Sequence, residues 1–270
     1  MSSPPSQDGR VVPFRPEGVG VNGEKPASVY FYGTCLVDTF LPEAGLAAVE
    51  LIEAEGVRVI FPQGQTCCGQ PPFNSGYRRE ARQAARAQLA LFAEPIPVVV
   101  PSGSCGAMLK VHYPELFRGE PEEEAVRALA ARVVEWSDFM ARVLGARLKD
   151  RGDPVRVTYH PSCHMVREMG VREAPKALLG QLEGVTLLPL PDEGECCGFG
   201  GTFAVKQAPL SRAMVGDKSR AVEESGAEVL VSGDAGCLLN IEGTLTRNGS
   251  SVQCLPLPLF IKRRVSGDSA

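Results

Sequence analysis

The chain has 270 residues, enough for one large domain or two similar halves, and its 44% hydrophobic and 22% charged content excludes wholesale disorder. Lys+Arg 28 against Asp+Glu 32 gives a net charge of −4, and aromatics are only 6%, which argues against a nucleic-acid partner. No apolar run approaches the ~18 residues of a membrane span, and the start MSSPPSQDGR has no secretory core, so the expected location is the cytoplasm, where thiols stay reduced.

Residues 1–27 are rich in Pro and Gly and read as a flexible N-terminal tail. They contain a literal G-x-G-x-x-G at Gly18, Gly20 and Gly23, but Pro16 and Pro26 stand where a dinucleotide site needs a strand and a helix. A β-rich run from Val29 then ends in a small-residue turn at Cys35, and a helix is expected over Pro42–Glu55. Val57–Phe61 reads as a second strand leading to Cys67-Cys68-Gly69. A helix over Tyr77–Phe92 follows, with Arg78, Arg82 and Arg86 on one solvated stripe. Val98–Val100 is a third strand before Cys105. Glu122–Arg147 reads as helical, with Glu122, Glu123 and Glu124 favouring its N-terminus.

The pattern then repeats. Val157 to Cys163, a helix over Glu173–Leu182, an apolar run Val185–Leu190, Cys196-Cys197-Gly198, a helix over Pro209–Ser225, and Val229–Val231 before Cys237 follow in the same order. Gly236–Arg247 and Leu257–Arg264 are the remaining helices. Cys35 recurs as Cys163, Cys67 as Cys196, Cys68 as Cys197 and Cys105 as Cys237, all at a nearly constant offset, which marks a duplication. Strands alternating with helices imply an α/β fold of two pseudo-symmetric lobes, 28–150 and 151–265, each a small parallel sheet flanked by helices, with 266–270 as a tail. In such sheets the ligand site lies beyond the carboxyl ends of the strands, where all eight cysteines fall.

Nine cysteines and only three histidines, His112, His160 and His164, mean that a metal site must be built mainly from sulfur. The odd count and the reducing compartment disfavour disulfides. Ordinary core burial does not explain twin Cys-Cys-Gly tripeptides at matching positions. Structural zinc accepts four thiolates but usually through C-x₂₋₄-C knuckles, and no C-x-x-C occurs; an iron–sulfur cluster also takes four thiolates and is larger than one ion. His160 and His164 flank Cys163 and are candidates to ligate iron, to donate to sulfur, or to brace the turn, while Tyr32 and Leu36 fill those places in the first half. Gly198, with Gly200 and Gly201, lets backbone N–H groups come close to an anionic group. Cys254 has no repeat partner, with Glu135 at its matching spot, and reads as a core residue. No P-loop, zinc-protease helix, nucleophile elbow or flavin- or nicotinamide-binding half is visible.

A Cys, a Cys-Cys-Gly about 32 residues on and a further Cys about 37 to 40 later, all occurring twice, resemble the CCG-domain (cysteine-rich) family. Its members include a subunit of heterodisulfide reductase and iron–sulfur subunits of glycolate and anaerobic glycerol-3-phosphate oxidising systems. Thr66-Cys-Cys-Gly-Gln-Pro-Pro-Phe-Asn-Ser-Gly-Tyr77, His160-Pro-Ser-Cys-His164 and Glu195-Cys-Cys-Gly-Phe-Gly-Gly-Thr-Phe203 are similar to signatures of its lactate-utilization protein A group. The resemblance implies one or two [4Fe–4S] clusters held by Cys35, Cys67, Cys68, Cys105, Cys163, Cys196, Cys197 and Cys237, with His160, His164 and Gly198 at the cofactor. It also implies an electron-transfer subunit, not an enzyme alone, in a cytoplasmic complex whose other subunits help oxidise L-lactate, or another small 2-hydroxy acid, with pyruvate as the product from lactate. The heterodisulfide reductase pattern ends in Cys-x-x-Cys, whereas these halves end in Cys105-Gly-Ala-Met108 and Cys237-Leu-Leu-Asn240, leaving four ligands each. Thiol/disulfide chemistry at the cluster and a zinc-stabilised interaction module are the competing expectations.

Overall fold

The structure, a computed structural model, describes residues 25–267; the Gly18–Gly23 motif and most of the tail lie outside the described residues. The last tail residues are docked: Lys25 pairs with Glu55 at 2.7 Å, and Ala27 O accepts from Arg58 N. The first half runs β1 (Ser28–Phe31), α1 (Cys35–Phe40), α2 (Pro42–Ala54), β2 (Arg58–Ile60), α3 (Gln70–Asn74), α4 (Arg78–Leu89), β3 (Val98–Val100), α5 (Gly103–Ala107), α6 (Tyr113–Leu116), α7 (Glu123–Arg132), β4 (Val133–Glu135) and α8 (Trp136–Asp138). One π-helical turn, Met108–His112, joins α5 to α6, and another, Phe139–Val143, prolongs α8. The second half runs β5 (Val155–His160), α9 (Cys163–Arg167), α10 (Glu173–Leu179), β6 (Val185–Leu188), α11 (Phe203–Lys206), α12 (Ala208–Glu224), β7 (Val229–Ser232), α13 (Ala235–Arg247), β8 (Gln253–Pro256) and α14 (Leu257–Ser266).

Each half forms a four-stranded, wholly parallel sheet in the same order, β2-β1-β3-β4 and β6-β5-β7-β8. The duplicated α/β reading therefore holds. The fourth strand of each sheet corrects it. The helix expected over Glu122–Arg147 is interrupted by β4, a buried three-residue strand that follows the helix-forming run of α7 with no Gly or Pro between. Its state is decided by pairing with β3 rather than by local propensity. Register also shifts one expected equivalence. Tyr30 and Thr158 each precede a cysteine by five residues, and they pair with Val98 and Leu230, which in turn pair with Val133 and Cys254. Val133 is thus the counterpart of Cys254, and Glu135 that of Pro256.

The faces that the two sheets turn toward each other share one core. Val29, Phe31 and Val99 of the first sheet and Val157, Tyr159, Val229 and Val231 of the second belong to a single cluster with Leu51, Ile52, Trp136, Phe139, Leu178, Phe260 and Ile261. The closing helices cross over within it. α14 packs on α2 of the first half, while α8 and its π-turn pack on α10 of the second. The outer faces are covered separately, by α4, α6 and α7 on one side and by α12 and α13 on the other. On α4 the arginine stripe is paired rather than simply solvated: Arg78 meets Glu115, Arg82 meets Glu120, and Arg86 meets Glu120 and Glu122.

The connection between halves is locked by Asp150 and Arg264, whose side chains are only 3% and 2% exposed and lie 2.6 Å apart. A Cβ on Gly152 or Gly184 would collide with the guanidinium, so a side chain at either position would displace Arg264 from Asp150. Burial alone would raise the Asp150 pKa, but the Arg264 bond and the N–H groups of Gly152 and Gly184 hold it below the ordinary 3.8. Removing one member of a buried pair typically costs about 3–5 kcal/mol. Asp150→Ala should therefore lower the unfolding free energy obtained from urea denaturation by an amount in that range. The sign of the pH dependence follows from the depressed pKa. The contribution is complete above pH 3.8 and is lost as pH falls through the folded-state value, so thermal melts should show a shallower acid limb in Asp150→Asn than in the parent.

Candidate metal centre

The cysteines are placed by backbone features that recur in both halves. Cys35 opens α1 directly after β1, behind Thr34, which takes φ 53° and accepts from Val37 N. Cys163 opens α9 behind Ser162, which accepts from Met165 N. Cys105 lies in α5 after β3, and Cys237 in α13 after β7. The Cys-Cys-Gly loops follow β2 and β6. Gly69 and Gly198 turn them at φ 85° and 77°. Added Cβ atoms there would come within 3.1 Å of Ala81 O and 2.8 Å of Ser211 O, so each loop is pressed against the backbone of the next long helix. In that conformation Gly69 N–H lies 3.5 Å from Cys67 Sγ and Gly198 N–H 3.4 Å from Cys196 Sγ.

The result is two quartets. Cys68 Sγ is 3.5 Å from Cys105 Sγ, and Cys197 Sγ is 3.0 Å from Cys237 Sγ. The free thiols of Cys35 and Cys67, and those of Cys163 and Cys196, lie near enough to influence each other's ionisation. Bonds from the thiols of Cys35 and Cys68 push Cys67 down to about 2, and those of Cys163 and Cys197 do the same to Cys196. The same contacts, followed by burial, push Cys35, Cys68, Cys163 and Cys197 up. Each quartet thus favours one thiolate fed by its neighbours. A cation is needed before the rest can ionise together.

The loops are anchored by side chains that differ between halves. Tyr32 OH donates to Thr66 O at 2.7 Å, Gln88 Nε2 to Thr66 Oγ1 at 2.5 Å, and Tyr113 OH to Cys68 O at 2.8 Å. In the second half Asn240 Nδ2 donates to Cys197 O at 2.8 Å, and Lys218 Nζ to Asp192 O at 2.6 Å. His160, at the end of β5, is buried, and neither ring nitrogen has a partner among the described residues. A nitrogen of its ring and the sulfurs of Cys197 and Cys237 all lie within 4.8 Å of one another. Burial first, then Lys218, pushes its pKa down to about 4, leaving a neutral imidazole with one N–H to give.

His164 sits at the rim rather than within the quartet. Its Nδ1 is 3.6 Å from Cys163 Sγ, and its Nε2 is 3.4 Å from Gln70 Nε2 of the other half. The seam between halves continues through His112 and Glu168 at 2.7 Å and Ser75 and Thr202 at 2.8 Å. Cys254 lies apart in β8, packed beside the core cluster of Leu230 and Ile241, and burial pushes its pKa up to about 12.

Sequence reasoning passed over Asp234, the most connected polar residue here. Its Oδ1 caps α13 by accepting from Gly236 N and Cys237 N, and its Oδ2 accepts from Ser102 Oγ and Ser104 N at the start of α5. One carboxylate thus caps α5 and α13, the two helices that carry the last cysteine of each quartet. The Ser-Gly-Asp that precedes Ala-Gly-Cys is an N-cap signal, but nothing local shows that it reaches the other half. Lys218 and Asn240 were also passed over. The repeat could have flagged Lys218, because the offset from Gln88 to Lys218 is the same as that from Ala81 to Ser211.

The donor set fits an iron–sulfur cluster. Each half offers four convergent thiols, a backbone N–H aimed at a sulfur and, in the second, a buried imidazole with no partner among the described residues. The comparisons agree with the duplication. The cysteine-rich CCG domain family matches twice, over residues 29–110 and 157–242. "Lactate utilization protein A" of Geobacillus kaustophilus is 46% identical over 239 residues, covering 87% of this chain and 99% of that one. The protein of the same name from Bacillus licheniformis is 44% identical over 239 residues, with the same shares. Among solved structures, a hypothetical protein from Helicobacter pylori superposes with a TM-score of 0.66 at 11% identity, over 90% of this chain and 49% of that one, a likeness of fold alone. With both halves matched by one domain and with such relatives aligned over nearly their whole length, the chain belongs to the cysteine-rich CCG domain family, alongside the proteins named lactate utilization protein A.

Proposed function

We propose that the protein is an iron–sulfur electron-transfer subunit of a cytoplasmic system that oxidises L-lactate to pyruvate. Cys35, Cys67, Cys68 and Cys105 would hold one [4Fe–4S] cluster, and Cys163, Cys196, Cys197 and Cys237 a second. The observation that carries the reading is the meeting of four thiols at the strand ends of each half. The substrate comes from the relatives' name. Such clusters supply one-electron transfer.

The chain's own residues bind and orient. Gly69 and Gly198 aim N–H groups at Cys67 and Cys196, which favours thiolate. Tyr113 and Asn240 fix the carbonyls of Cys68 and Cys197 and so hold the ligand loops. Asn240 stands where a heterodisulfide reductase pattern would place another cysteine, and its amide is engaged in that bracing bond. Met108, the matching residue in the first half, is buried in the core. Four thiolate donors per half therefore support simple electron transfer over disulfide chemistry. Among the described residues no helix is long and apolar enough to cross a membrane. Lactate oxidation removes two electrons and needs a site that accepts a hydride or its equivalent, which this reading assigns to a partner subunit.

Anaerobically prepared protein should contain about eight irons and eight sulfides per chain if both sites hold [4Fe–4S] clusters. Cys196→Ser should remove roughly half of that iron and visible absorbance. Cys254→Ser should leave both unchanged. Colourless protein that carries zinc instead would favour the interaction-module reading. Separately, the pure, iron-loaded chain should reduce no dye with lactate until partner subunits are added. Sustained turnover by the chain alone would show that it is the dehydrogenating enzyme itself.

A further inference from the structure

The two halves hold their cysteines alike but surround them differently. α4 and α12 are counterparts: Gly69 is pressed on Ala81 O and Ala84, Gly198 on Ser211 O and Met214, and one offset relates both pairs of helix residues. Further along the same helices, that offset also relates Gln88 to Lys218. Both side chains are buried. Gln88 is a neutral amide spent on Thr66. Lys218 brings an ammonium that donates to Asp192 O and lines one cleft with Cys196. The replacement of Tyr32 by His160 runs in the same direction. The Tyr32 hydroxyl is spent on Thr66 O, whereas the His160 imidazole has no other partner among the described residues and lies against Cys197 and Cys237.

We propose that the second half holds the higher-potential of the two sites, because Lys218 places a positive charge, and His160 an N–H donor, beside its cysteines where the first half has neutral Gln88 and a committed Tyr32. The proposal rests on the iron–sulfur reading above. Reduction adds negative charge to a cluster, so a nearby cation and hydrogen bonds to sulfur favour the reduced form. Burial lowers the Lys218 pKa, while Glu195, Asp192 and the sulfurs of Cys197 and Cys196 act to keep it charged. Asp234 acts against this field. Its charge is divided between the halves, however, with two donors from α13 on Oδ1 and two from the Ser102–Ser104 turn on Oδ2. Lys218 acts on the second half alone. The cleft that Lys218 shares with Cys196 also carries Asp192, Glu195, Asp217, Glu224 and Arg220, but these are exposed and screened by solvent, whereas Lys218 is buried; the first-half cleft on Cys35 carries Asp38 and no cation.

The test is a redox titration of the full, iron-loaded chain followed by EPR, with iron and sulfide assayed on each sample. The parent should show two separate couples. Cys35→Ser, which removes the first site, should leave the upper one. Lys218→Gln, which copies the first half, should lower the upper couple by at least a tenfold change in the reduced-to-oxidised ratio, about 59 mV for one electron, and leave the lower couple in place. Gln88→Lys should raise the lower couple. Coincident couples in the parent, survival of the lower couple in Cys35→Ser, or no shift in iron-replete Lys218→Gln would each overturn the assignment. Should Lys218→Gln lose its second-half iron, the parent and Cys35→Ser still decide it. A parent free of iron and sulfide would instead overturn the iron–sulfur reading itself.

Discussion

Four thiols crowded at the end of a small parallel sheet cannot all carry charge without a cation among them, and the loops and long helices of each half are arranged around that constraint. In each half one cysteine of the Cys-Cys pair, Cys67 or Cys196, is favoured as thiolate by its neighbours and by a glycine N–H. The glycine can serve only because it adopts a left-handed turn and lies against the backbone of α4 or α12. That contact fixes the long helix relative to the loop, and the helix in turn covers the outer face of the sheet. The loop chemistry and the packing of the lobe are therefore one requirement, since a side chain at Gly198 would disturb both.

The second constraint is that neither half encloses its own core. The inward faces of both sheets meet in a single cluster, and α14 and α8 each cover part of the opposite half. Trp136 reaches back to Ala48 O with its indole N–H at 3.1 Å, and Arg264 spans from α14 to Asp150 at the junction of the halves. Asp234 extends the same logic to the metal centre by capping α5 and α13 together. The relative placement of the quartets is set by buried, directional contacts rather than by a flexible hinge. Fixed separation of the quartets is what preorganised sites require if their geometry is to be reproducible.

Much of this was legible in the sequence because the repeat is written in residues with strong local meaning. Cys-Cys-Gly, the Pro and Gly that bound α2, and the valine runs at 98 and 229 located three strands of each sheet and both quartets. The fourth strands were not legible. Val133-Val-Glu135 continues a helix-forming run and becomes a strand only because β3 offers it a partner. Gln253-Cys-Leu-Pro256 carries a proline, which a sheet tolerates here because β8 is an edge strand. Residues that act across the seam were equally hidden. Asp234, Gln70 and Glu168 each bond to a partner far away in the chain, and single-sequence patterns carry no such information.

Duplication explains why the same backbone can support two unlike sites. The features that create a quartet (strand end, helix start, left-handed glycine) lie in the main chain and were preserved together in both copies. The features that tune it lie in side chains facing the loop, and these differ. Tyr113 and Asn240 brace equivalent carbonyls from different positions, and Tyr32 and His160 stand at equivalent strand ends with opposite hydrogen-bonding commitments. Exchanging Gln88 for Lys218 changes the charge without disturbing the glycine contact earlier in the helix, because the two act through different residues of the same helix. A fold that separates its scaffold from its tuning groups in this way can alter one site while the other is unchanged, which a single symmetric site cannot do.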